Sequence, residues 1–86
     1  MTRREKLRQR IENNPKAVRF EDLETLFSAY DFVKTGSGSS HFKYQHPSGA
    51  IVVVAYRRPH LKAYAVRAAL TAIEHAEAWE QDEQDS

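Results

Sequence analysis

Between Gly36 and Pro59 the chain reads with a period of two, and this limits the folds open to it. A turn-like Gly36-Ser37-Gly38-Ser39-Ser40 leads into the alternation His41-Phe42-Lys43-Tyr44-Gln45. A second turn, His46-Pro47-Ser48-Gly49, places Pro and Gly where a type I turn takes them. The apolar run from Ala50 to Ala55 follows. Successive side chains of a strand point to opposite faces. Phe42 and Tyr44 therefore share one face, and His41, Lys43 and Gln45 share the other. The aromatic face suits a core. The other sets an imidazole beside an ammonium on a rigid strand, an arrangement suited to an anionic substrate. The third strand is apolar on both faces, so its second face calls for a cover: the first helix, a second copy or a different protein.

Helices flank this stretch. Thr2-Arg3-Arg4-Glu5 matches a capping box and starts a helix over about 3–12, stopped by Asn13-Asn14-Pro15. Its basic residues surround a narrow Leu7/Ile11 stripe and read as a solvated face rather than an RNA contact. Phe20, Leu23, Leu26, Phe27 and Tyr30 fall on one face of a second helix, with Glu21, Asp22 and Glu24 in its first turn. Asp31 to Thr35 predicts the first strand, and the Gly-Ser residues after it a five-residue hairpin loop whose glycines let backbone amides approach a phosphate. Val66, Ala69, Leu70, Ile73 and Ala76 mark a last helix that begins near Leu61 or Lys62 and reaches Trp79. Residues 1–76 form a single domain in this reading, and 77–86 an acidic tail, frayed or disordered.

Composition adds three limits. Without cysteine there is neither a disulfide framework nor a thiolate metal site. No apolar run approaches the roughly 20 residues of a membrane span, and no apolar stretch behind the N-terminus suggests a signal peptide, so a cytoplasmic protein is expected. The net charge of +1 conceals an asymmetry: residues 1–73 carry +7 and residues 74–86 carry −6. A basic body suggests a polyanionic partner such as nucleic acid.

The expected fold is α+β. Its α-β-β-β-α order, with an additional N-terminal helix, is that of a double-stranded-RNA-binding domain, with a three-stranded antiparallel sheet packed on helices. Residues Ser39-Ser40-His41-Phe42-Lys43-Tyr44-Gln45-His46-Pro47, Arg58-Pro59-His60-Leu61-Lys62 and the helix end at Tyr30-Asp31-Phe32 resemble the corresponding segments of the HicA family of toxins. The likeness runs from about Arg19 to Ile73. Ser39, Phe42, Ala55 and Arg57 depart from the family's pattern.

The resemblance implies a metal-independent mRNA interferase of a type II toxin–antitoxin system, an endoribonuclease neutralised by a HicB-like antitoxin. His41 falls on the family's catalytic histidine. An unperturbed histidine titrates near pH 6.5 and suits proton transfer. Lys43, Arg57 and Arg58 are positioned in sequence to offset transition-state charge. Lys62, Ser40 and Gly38 complete the expected RNA contacts. No cofactor and no metal are expected, and His46 reads as a structural or exposed turn residue. Two readings stand beside the enzyme. One is a non-catalytic RNA-binding module with the same fold, in which Lys43, Arg57, Arg58, Lys62 and Arg67 only hold phosphates. The other is a structural or protein-interaction domain.

Overall fold

The computed structural model describes residues 2–38 and 40–85. The elements are α1 (Arg3–Asn13), a 3-10 turn (Pro15–Ala17), α2 (Phe20–Ala29), β1 (Val33–Gly38), β2 (His41–Gln45), β3 (Ile51–Ala55) and α3 (Ala63–Asp85). The strands form one antiparallel sheet in the order β1-β2-β3. This is the double-stranded-RNA-binding-domain arrangement with an extra N-terminal helix. Among the described residues, no helix is long and apolar enough to cross a membrane.

Local chemistry accounts for most boundaries. The Thr2 hydroxyl oxygen accepts from the Glu5 N–H at 3.2 Å and donates to the Glu5 carboxylate at 3.0 Å, so α1 starts where the capping pattern places it. α2 ends in a Schellman motif. Asp31 adopts a left-handed φ of 66°, Phe32 N–H donates to the Phe27 carbonyl at 2.9 Å, and Asp31 N–H donates to the Ser28 carbonyl at 3.2 Å. The Phe27 and Phe32 rings then meet at 5.2 Å, the hydrophobic contact that accompanies this motif. The β2–β3 hairpin closes with Gly49 N–H on the His46 carbonyl at 2.9 Å and His46 N–H on the Ala50 carbonyl at 3.0 Å, with Gly49 at φ 95°.

The core lies between one face of the sheet and the helices. Phe20 meets Phe42 at 5.0 Å, and Phe27 stacks on Tyr44 at 4.5 Å. Val52, Val54, Val66, Ala69, Ile73 and Ala76 close the other side of this core. Burying one such Phe or Leu side chain contributes about 1.5–3 kcal/mol.

Three expectations are corrected. β1 runs Val33–Gly38 rather than ending at Thr35. Gly36 and Gly38 pair with Lys43 and His41 across an irregularity between Lys34 and Gly36, so ladder hydrogen bonds override the low strand propensity of the Gly-Ser residues. The expected loop shrinks accordingly; Ser39 lies outside the described residues. Second, α1 does not cover the far face of the sheet. It packs on α2, α3 and the 3-10 turn, and Val33, Ile51 and Val53 stay 62%, 51% and 55% exposed on that face. Third, α3 continues to Asp85, past the Trp79 at which a frayed acidic tail was expected. Within the stretch expected to fray, Glu77 and Glu80 have partners that hold the helix against the rest of the fold. Arg8 donates to Glu77 at 2.9 Å and lies 3.9 Å from Glu74, and Glu80 meets His46 at 3.1 Å.

The charge asymmetry is therefore partly internal, with basic α1 lying against acidic α3. Arg8 is part-buried and also binds Glu12 at 2.9 Å. Burial works against its charge, but the surrounding oxygens of Tyr30, Glu77 and Glu12 outweigh it, and the pKa of Arg8 is raised. Arg4 donates to the Ala29 carbonyl at 3.3 Å and sits 4.6 Å from the Tyr30 ring centre.

Candidate functional site

Strand pairing gathers the sequence-predicted residues at one end of the sheet. His41 lies opposite Gly38 on β1 and Ala55 on β3. Lys43 lies opposite Gly36 and Val53, two residues or about 7 Å further along the strand. Paired residues share a face, so His41 and Lys43 stand together on the open side of the sheet, both exposed. Gly38 and Ala55 flank His41 across the sheet. The Tyr56 N–H donates to the Ser40 carbonyl at 2.7 Å and ties the start of the β3–α3 connection to this end. Arg57 and Arg58 follow directly. The peptide bond between Arg58 and Pro59 is cis.

Gly38, Ser40 and His41 thus come together at this end, with Lys43 one step inward and Arg57 and Arg58 next along the connection after Tyr56. Lys62 lies further along the connection and shares with Arg57 and Arg58 the wall of a cavity of about 440 Å³. Arg58 Nε donates to the Tyr56 hydroxyl, and this bond raises the arginine's pKa. On the opposite, core-facing side of β2, Tyr44 donates to Glu24 at 2.8 Å and Lys34 approaches the same carboxylate at 2.7 Å. Burial opposes the charge of Glu24, but the bonds from Lys34 and Tyr44 prevail and lower its pKa. Burial, then the bond to Glu24, raise that of Tyr44.

A second cluster went unseen in the sequence. Asp31, His46 and Glu80 bring one ligand atom each to within 4.8 Å of one another. His46, expected to be structural or exposed, is buried against Phe32 at 5.0 Å and Trp79 at 5.8 Å. No spacing rule links these residues, because the helix end, the hairpin turn and the last turns of α3 meet only in the fold. The cluster is five residues, roughly 16 Å, along the sheet from His41, too far to share one phosphodiester.

Hydrogen bonding fixes the tautomer of His46. Ser48 N–H donates to Nδ1 at 3.0 Å, so the ring proton sits on Nε2 and is donated to Glu80 at 3.1 Å. A metal at Nε2 requires that proton to move to Nδ1, where it faces the Ser48 N–H head on. The distances suit a divalent ion, but the hydrogen bonds do not. The chemistry this arrangement supports is a neutral, donor-acceptor histidine that fastens α3 to the hairpin.

No family model, curated protein or solved structure matches this chain.

Proposed function

We propose that this chain is an RNA-binding domain that contacts RNA through the sheet end at Gly38, Ser40 and His41, with Lys43 and the connection from Arg57 to Lys62. The observation that supports this best is the convergence of cations. Lys43 stands on the open face of β2, and Arg57, Arg58 and Lys62 share one cavity wall on the connection that leaves the His41 end of the sheet at Tyr56. Polyphosphate binding rests on such clustering, since each neutralised phosphate releases counterions. The test is binding of labelled single-stranded RNA across a salt series. With three to five phosphate contacts the log–log slope is about −2 to −3.5. A flat slope removes the RNA reading.

The finer reading is a metal-independent mRNA interferase of the HicA kind. The position of His41 favours it: a strand histidine beside Lys43, on an open face with small neighbours. His41 takes the proton of the ribose 2′-hydroxyl as that oxygen bonds to phosphorus. The bond from phosphorus to the 5′-oxygen breaks, and the leaving oxygen takes up a proton from water. Lys43 and Arg57 offset the charge gathering on the phosphate. A HicB-like antitoxin is the implied partner, and the exposed Val53 opposite Lys43, with Val33 and Ile51 further along the same face of the sheet, suits burial under a protein. Product analysis on a labelled transcript, with and without EDTA, separates cleavage from binding alone.

A further inference from the structure

Two segments that are far apart in sequence are clasped behind the sheet end. Leu61 N–H donates to the Val18 carbonyl at 2.9 Å, and both side chains are 3% exposed in the core. With Val18 and Leu61 turned inward, their neighbours turn out. Lys16 and Arg19 are exposed on one side of the clasp, and Arg57, Arg58, His60 and Lys62 on the other. Two adjoining cavities run along this seam, of about 450 and 440 Å³, and both are lined by the stretch Arg57-Arg58-Pro59-His60. Arg19 borders the first and Lys16 the second. The first also carries Tyr56, half-buried, with its ring packed edge-on to Phe20 at 5.0 Å.

We infer that this seam is a second contact for single-stranded RNA, continuing the strand's path from the sheet end and assigning Lys16 and Arg19 to phosphate binding; the seam's role rests on the RNA-binding reading. Five fixed cations border it, from segments some forty residues apart in the chain: Lys16 and Arg19, together with Arg57, Arg58 and Lys62, which it shares with the sheet-end contact. Opposing them are Glu21 and Asp22, and Asp22 is already 3.5 Å from Arg10. A single strand needs two things from such a groove: cations along the backbone and an aromatic surface for a base. Tyr56 supplies the second. An acidic peptide fits less well, because it offers the cations carboxylates but has no base ring to lie on Tyr56 and no base amino groups from which Glu21 and Asp22 accept hydrogen bonds.

The test is the double variant Lys16→Gln/Arg19→Gln, with Lys43→Gln as a reference at the sheet end. Both substituted residues are exposed, and Arg19 makes no side-chain cap bond to α2, so the fold is retained and circular dichroism checks it. The probe is a labelled twelve-nucleotide oligouridylate, with an oligoglutamate of equal length as competitor. The double variant binds several-fold more weakly, and its salt slope falls by about 1.4, at about 0.7 for each phosphate no longer neutralised. An unchanged slope in the double variant, with RNA bound by the parent and weakened by Lys43→Gln, overturns the seam and leaves RNA binding at the sheet end standing. A parent protein that binds no RNA overturns both. Oligoglutamate that displaces the RNA at equal concentration makes the seam a groove for acidic protein and overturns the assignment to RNA.

Discussion

Tyr44 and Glu24 are locked together through the core-facing side of the sheet. The Tyr44 hydroxyl donates to the Glu24 carboxylate at 2.8 Å, and that carboxylate also meets Lys34 at 2.7 Å. The pair links α2 to the middle strand and ties stability to pH at both ends. The folded pKa of Glu24 is depressed. Its contribution is therefore present above the ordinary carboxylate range and is lost as pH falls through the folded value. The folded pKa of Tyr44 is raised, so its contribution is present below about pH 10 and is lost as pH climbs through the folded value. Urea unfolding of the parent and of Glu24→Gln at pH 7 and pH 3 checks the acid side. The parent loses more stability than the variant between the two pH values, because only the parent has the depressed carboxylate to protonate.

His41→Ala separates chemistry from binding. Its exposed position on β2 means that removal leaves no core cavity, and stability changes by less than about 0.5 kcal/mol. RNA affinity holds, because the cations remain. Where the parent cleaves RNA, the variant is slower by about 10²–10⁴-fold. A folded variant that cleaves at the parental rate would remove His41 from the mechanism.

Arg8→Ala should release α1 from α3. It removes the bonds to Glu77 and Glu12 and leaves Glu77 without its partner on α1. The cost is about 1–3 kcal/mol, measured as a lower urea midpoint at unchanged slope.

Asp31→Gly should stabilise the protein. The left-handed conformation at φ 66° disfavours any residue with a Cβ, and glycine removes that cost at the end of α2. The change also takes a carboxylate away from Glu80 in the same cluster. The expected gain is about 0.5–1 kcal/mol, read as a higher Tm.

Zinc should leave the Tm unchanged. The tautomer of His46 holds its proton on Nε2 against Glu80, so metal binding there costs the Ser48 hydrogen bond. A dose-dependent rise in Tm with zinc, reversed by EDTA and lost in Glu80→Gln, refutes this account of the cluster.

What the chain's own pattern determined is local and periodic. The alternation at Phe42 and Tyr44, the Pro47–Gly49 turn, the Thr2 cap and the helical stripes of α2 and α3 all follow from side-chain direction and backbone preference within a few residues. They were enough for the order of elements and for the face on which His41 and Lys43 stand. Tertiary structure decided what depends on distance. The strand pairing that extended β1 through Gly36 and Gly38 needed β2 as a partner, and the helix at Glu77 and Glu80 needed Arg8 and His46. Whether α1 covered the sheet depended on which surface buried Leu7 and Ile11, and α2 and α3 offered one that the sheet's far face did not. The burial of His46 and the clasp between Val18 and Leu61 join residues more than thirty positions apart, where no local rule reaches. Hydrogen bonds of that kind are set by packing, because only the assembled core brings their donors and acceptors within range.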